Sequence, residues 1–274
     1  MNQKISADYH LHTHHSTDST APMKDVIESA INKGLSEICF TDHLDLDYPK
    51  YEDLPKDAFN LDVNAYRKEF DRYKEEYKDR IKLKFGVEIG MQAHIAEKNS
   101  NFVKENDFDF VIASIHLVDR KDPFYDGFWD SDTVQNIFKR YFETTLENLK
   151  LFNDYNVLGH LDYLARYAPK GDTTYSYERF KEQIDAILEY LVKNDKGLDL
   201  NSKALYSDMP FPNPHPKVLK RFRELGGKIL TFGSDAHRAE NLSACFDKTR
   251  ALALEAGFTE YYTFEKRVPI AHKL

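Results

Sequence analysis

Ile5-Ser6-Ala7-Asp8-Tyr9-His10-Leu11-His12, the stretch Met23–Lys33, and Glu37-Ile38-Cys39-Phe40-Thr41-Asp42-His43 carry the pattern from which the architecture follows. The outer pieces are short and apolar and predict strands at Ile5–Tyr9 and Glu37–Thr41. The piece between them carries apolar residues at helical spacing. Strand, helix, strand in this order is the parallel βαβ unit. The alternation continues along the chain. Further strands are expected at Lys82–Val87, Phe108–Ala113, Val157–Gly159, Gly197–Asn201 and Lys228–Phe232. Helices are expected at Val63–Lys78, Thr133–Phe152, Tyr177–Lys193, Pro216–Leu225 and Cys245–Ala256. About seven such repeats argue for a parallel sheet with helices outside it. At 274 residues a closed (β/α) barrel is the first expectation and a doubly wound open sheet the second. No Gly/Ser-rich linker or low-complexity segment divides the chain, so residues 1–274 read as one domain. Asp45–Asp62 is polar, contains two prolines, and reads as a long loop after the second strand.

Composition narrows the function. Hydrophobic residues make up 41% and charged residues 31%, as in ordinary globular proteins, and 17 Tyr with 19 Phe supply a large core. The net charge of -8 gives no general attraction to nucleic acid or to an anionic membrane. An anionic ligand would need local cations: metal ions, Arg or Lys. The two cysteines, Cys39 and Cys245, make no disulfide framework, and Cys39 reads as a small buried apolar residue. The first residues, Met1 to Ile5, lack the apolar core of a signal peptide, and no membrane-spanning run is visible. A cytoplasmic protein without an obligate protein partner is expected.

The chemistry sits at strand ends. In a strand, alternate residues share a face, so His10 and His12 project together. Two imidazoles on one face are the start of a metal site. Asp42 and His43 follow the second strand, and Glu88 the third. His116 follows the fourth, His160 and Asp162 the fifth, and Asp235 and His237 the last. In a parallel barrel all strand C-termini meet at one mouth, which is where active sites lie. Residues more than 220 positions apart would therefore converge.

This ordered pattern, His10-x-His12, Asp42-His43, Glu88, His116, His160 and Asp235-x-His237, resembles the PHP (polymerase and histidinol phosphatase) superfamily over essentially the whole chain. Chain length, Asp18, Leu200-Asn201-Ser202 and Asn213-Pro214-His215-Pro216 are most similar to its monofunctional histidinol-phosphate phosphatases. The resemblance implies a distorted (β/α)7 barrel that hydrolyses L-histidinol phosphate in histidine biosynthesis. It also implies three divalent ions. One would be held by His10, His12, Glu88 and Asp235. A second would share Glu88 and add His116 and His160. A third would take Asp18, His43 and His237, with His14 or His15 competing for the place of Asp18. Zinc suits this mixed nitrogen and oxygen set, and manganese or iron would also fit.

The implied chemistry is attack by a metal-activated hydroxide on phosphorus, with Asp235 or His237 as proton donor. Arg166 is expected to grip phosphate. Asn201, Ser202, His14 and His15 are expected to contact substrate, and Lys203 is a weaker candidate. Asp8, Asp42 and Asp162 stand beside ligands and would orient imidazoles. Tyr48, Tyr51, Phe124, Tyr125 and Trp129 would wall the substrate, whereas His94, His215 and His272 lie off the pattern. Two other activities keep the same barrel: a phosphatase of nucleotides or other small esters, and an amidohydrolase-type C–N hydrolase. Glu88 in place of a bridging lysine counts against the second.

Overall fold

The computed structural model describes residues 4–207 and 209–274, so Met1–Gln3 of the polar N-terminus and Asp208 lie outside the described residues. Strands β1 (Ala7–Asp8), β2 (Glu37–Phe40), β3 (His43–Leu44), β4 (Lys82–Gly90), β5 (Phe110–Ser114), β6 (Val157–Leu158), β7 (Gly197–Asn201) and β8 (Leu230–Gly233) form one parallel sheet in the order β1-β2-β4-β5-β6-β7-β8, with β3 also on β4. Glu37 pairs with Lys82 and His43 with Glu88, so β2 and β3 keep one register. They are one stave interrupted at Thr41-Asp42. The sheet thus has the seven staves expected.

The sheet closes on itself. Tyr9 N donates to Phe232 O at 2.8 Å, Asp235 N to His10 O at 2.6 Å, and His12 N to Ala236 O at 2.8 Å. Leu11 and Ala236 form a parallel bridge. This seam joins the first and last staves and decides for the barrel over the open sheet.

Helices α1 (Met23–Asn32), α2 (Val63–Glu76), α3 (Ala96–Glu105), α4 (Val134–Leu151), α5 (Lys181–Lys193), α6 (Lys203–Tyr206), α7 (Pro216–Glu224) and α8 (Phe246–Glu255) complete the alternation. Of these, α4 packs on α5, α5 on α7, and α7 on α8. Local chemistry fixes their starts. Asp62 caps α2 by accepting from Asn64 N and Ala65 N, and Thr133 caps α4 by accepting from Asn136 N. Each buries one stripe, as Ile184, Ile187, Leu188 and Leu191 do on α5.

An antiparallel hairpin, β9 (Glu260–Glu265) and β10 (Val268–Lys273), was not expected from the sequence. It covers the end of the barrel opposite the strand C-termini. Phe264 is buried against Tyr9 and Phe110, and Lys266 N donates to Asp109 Oδ1 at 2.9 Å. Arg267 donates through Nη2 to Asp154 O at 2.9 Å. No helix of the described residues is long and apolar enough to cross a membrane. Cys39 is buried and Cys245 half-buried, and both are free thiols.

Candidate metal centre and substrate cavity

The C-terminal ends of the staves converge as the βαβ reading requires. Glu88, on β4, is fully buried at the centre. Its Oε2 lies 3.0 Å from His10 Nε2 and 3.5 Å from His12 Nε2. Asp235 Oδ1 closes the group, at 3.9 Å from His10 Nε2 and 3.5 Å from His12 Nε2. Four ligand atoms around a tetrahedral zinc ion stand roughly 3.3–3.4 Å apart, given zinc–ligand bonds of about 2.0–2.1 Å. The four atoms therefore outline a cage of suitable size. The other oxygen of the same carboxylate, Oε1, faces a different pair, His160 Nε2 at 2.9 Å and His116 Nε2 at 3.3 Å. Asp18 Oδ2 forms a third group with His237 Nε2 at 2.9 Å and His43 Nε2 at 3.7 Å.

Charge in the cluster suits cations. Burial would raise the Glu88 carboxyl, yet His10, His43 and His116 hold it well below the carboxylate range. Burial would likewise raise Asp235, but Lys203, His10 and Arg166 keep it ionised. Burial pushes His160 down to about 3, and burial with His43 and His237 lowers His12, so both imidazoles are neutral donors of electron pairs. Burial alone would also lower His10 and His116, but the carboxylates beside them raise both well above the ordinary value. The cluster is thus rich enough in negative charge to draw protons onto two imidazoles, and a divalent ion would take their place. His12 Nε2, buried and facing the cage, has no hydrogen-bond partner. This donor set fits borderline divalent ions.

Several imidazoles are held from behind, and the orienting groups differ from those expected. Asp199 Oδ2 lies 2.8 Å from His10 Nδ1, Asp45 Oδ1 lies 2.7 Å from His116 Nδ1, and Ser16 Oγ lies 3.1 Å from His12 Nδ1. Ser16 in turn donates to Asp42 Oδ1 at 2.7 Å, so Asp42 acts through a hydroxyl. Asp8 and Asp162 touch no imidazole nitrogen. Asp8 accepts from Ser234 N and Ser234 Oγ, and Asp162 from Asn213 Nδ2, Tyr175 and His215 N. Both secure loops beside the ligands. Gly90 leaves room for Asp45, because a Cβ there would sit 1.9 Å from Asp45 Oδ1. Asp235 has φ 52, a left-handed conformation rare for a residue with a side chain, and strain of this kind gathers at functional sites.

A cavity of about 280 Å³ opens over the cluster. Asp18, His43, His116, His160, Asp235 and His237 form its floor, with Arg166 and Lys203 at the side. Tyr48, Phe59, Phe124, Tyr125, Tyr163 and Tyr167 supply its walls, with Asp53 and Asp122 among them. Trp129 and Tyr51, expected as walls, stand back from the cavity. Trp129 donates to Pro123 O, and Tyr51 stacks on Tyr125 and receives Asp122 N.

Arg166 is positioned by three acceptors: Asn213 Oδ1 at 2.8 Å, Asp235 Oδ2 at 3.0 Å and Asn201 Oδ1 at 2.8 Å. Lys203 Nζ lies 3.1 Å from Asp235 Oδ1 and 3.0 Å from His237 Nδ1.

Four expected contacts fall elsewhere. Asn201 and Ser202 are buried beneath the cavity, and Asn201 serves Arg166 instead. His14 and His15 turn away from the cluster to Glu69 of α2, because the chain reverses between Thr13 and Ser16. His94 pairs with Asp47, His215 caps α7, and His272 bonds Thr263, all off the site as expected.

A parallel barrel whose C-terminal mouth gathers imidazoles around a shared carboxylate defines a metal-dependent hydrolase. The PHP domain model matches residues 8–203. The histidinol-phosphatase of Lactococcus lactis subsp. lactis (strain IL1403) is 35% identical over 94% of this chain and 93% of its own length. A probable histidinol-phosphatase of Clostridium acetobutylicum is 33% identical over 95% of this chain and 97% of its own. The crystal structure of the Lactococcus lactis histidinol phosphate phosphatase, complexed with zinc, L-histidinol and phosphate, superposes with a TM-score of 0.88 at 32% identity, covering 97% of this chain and 98% of that one. The chain belongs to the PHP domain family, and the curated relatives it matches are histidinol-phosphatases.

Proposed function

We propose that this enzyme hydrolyses L-histidinol phosphate to L-histidinol and phosphate with the aid of three divalent ions, zinc being the first candidate. The observation behind this reading is Glu88 at the foot of the cavity: its Oε2 faces His10, His12 and, at 3.1 Å, His43 Nδ1, while its Oε1 faces His116 and His160. The ligand groups are His10, His12, Glu88 and Asp235; Glu88, His116 and His160; and Asp18, His43 and His237. Bound ions would supply Lewis-acid activation of the phosphate and a nucleophile from water at neutral pH.

The chain's own residues do the rest. A guanidinium has five N–H donors. Arg166 commits three to Asn213, Asp235 and Asn201, which leaves two to grip phosphate oxygens. Lys203 adds a second positive charge at the same side. Asp235, held ionised between these cations, anchors them and is a poor acid, and His237, with Nε2 given to the third ion, is a poor one too, so the proton for the leaving oxygen is expected from water. The aromatic walls suit a flat imidazole, and Asp53 and Asp122 suit the positive charge of the substrate's amine. A small phosphate ester fits this cavity, nucleic acid does not suit an acidic chain, and a cytoplasmic site of action accords with a biosynthetic role.

The test is to purify the protein without chelator, count metals per chain, and assay phosphate release from L-histidinol phosphate beside a panel of nucleotide monophosphates. Two to three ions per chain with strong preference for histidinol phosphate is the expected outcome. Activity confined to nucleotides would keep the site and overturn the substrate. A chain that binds no divalent ion after reconstitution would overturn the site.

A further inference from the structure

We infer that His14, His15 and Glu69 form a second, peripheral site for a borderline divalent ion such as zinc, separate from the central cluster. These residues share no side chain with that cluster and line no part of its cavity. His14 Nε2 lies 3.2 Å and His15 Nε2 2.8 Å from the same atom, Glu69 Oε2. All three lie within 4.8 Å of one another.

Ligand atoms around a tetrahedral zinc ion stand roughly 3.3–3.4 Å apart. A few tenths of an ångström of outward movement would admit the ion. The groups can make that movement: His14 is 43% exposed, and Glu69, at 23%, is half-buried with one side open to solvent. Two imidazoles and one carboxylate are a common catalytic-type donor set, and the open side of the site leaves room for water as the fourth ligand. His15 is the fixed member, 11% exposed, with its ring against Tyr66. Glu69 Oε1 meets only the distant Arg72 Nη2, at 3.9 Å. The ion would tie the loop that runs from His12 to Asp18 onto helix α2. Its affinity is expected to be lower than that of the central cluster, because three ligands and an exposed position replace a buried cage.

Zinc itself is the probe. Wild-type and Glu69→Gln holoenzyme are dialysed against graded free zinc, and ions per chain are counted by elemental analysis. The wild type is expected to take up one more ion per chain than the variant, or to hold it at least about 10-fold more tightly. His14→Gln, a change at an exposed side chain, is expected to repeat this result, and circular dichroism verifies that both variants are folded. The comparison subtracts the central cluster, so it stands apart from how many ions the cluster holds or which ester the enzyme cleaves. A zinc-soaked crystal should show an anomalous peak about 2.0–2.2 Å from all three ligand atoms. Equal uptake by the wild type and both variants would overturn the site. So would a soaked crystal in which the three side chains simply hydrogen-bond to one another.

Discussion

Asp45 behind His116 and Asp199 behind His10 set which imidazole nitrogen faces the centre. Partners of this kind typically change metal affinity or activity by about 10–100-fold. Asp45→Asn is therefore expected to weaken retention of metal by that range while the fold persists, read as zinc content after dialysis at fixed free zinc. Arg166→Lys keeps the charge but loses the fork that reaches Asn201, Asn213 and Asp235 together. Charge-assisted bonds are worth about 1.5–3 kcal/mol each. A loss of roughly 10–100-fold in kcat/KM is expected, with unchanged metal content; an Arg166→Lys enzyme at wild-type kcat/KM would remove Arg166 from phosphate binding. The convergence of the candidate ligands was legible because strand periodicity and barrel geometry dictate where strand-end residues go. Their supports were not. Asp45 lies 71 positions from His116 and Asp199 lies 189 positions from His10, so only three-dimensional contact reveals either. Proximity in sequence favoured Asp8 and Asp162, which hold loops instead.

At the scale of elements, the missed hairpin has a physical reason. A two-residue turn between β9 and β10 needs φ > 0 at both positions, which normally calls for Asn-Gly. Here Lys266 and Arg267 adopt φ 47 and 69. Arg267 is anchored to the backbone of Asp154, while Lys266 has an exposed side chain. Lys266→Asn should relieve the less favourable backbone and raise stability by about 0.5–1 kcal/mol. Thermal unfolding checks this, and a lower midpoint would refute it. Phe264→Ala should cost about 3–5 kcal/mol, because the ring fills the covered end of the barrel. Helix α3 escaped the reading for a different reason: its Ala96–Glu105 stretch is mostly polar and buries only Ala96, Asn99 and Val103. The boundaries of other elements shifted by a few residues, as helix ends and strand ends commonly do. The break between β2 and β3 occurs where Asp42 turns to receive Thr13 and Ser16.

For the whole molecule, closure of the sheet and assembly of the candidate metal centre use the same residues, because the seam bond from Asp235 N to His10 O joins two of the candidate ligands. The alternation of strands and helices made the barrel legible, but the hydrogen bonds that seal it could be known only from coordinates. An ion that binds the folded state alone adds stability by mass action, about 2.7 kcal/mol when present at 100 times its Kd. Chelation is therefore expected to lower the thermal midpoint and zinc to restore it. A midpoint indifferent to metal would show that the ions contribute little to the closed form. The seam has a further consequence for biogenesis. A ribosome releases His10 and His12 long before it makes Asp235 and His237, more than 220 residues later. Until the last stave docks beside the first, the emerging chain offers any passing cation only fragments of a cage. Selective capture would then wait until the last stave has been made, and a truncated product ending before Leu230 would carry the early histidines without Asp235 and His237 to complete the cage.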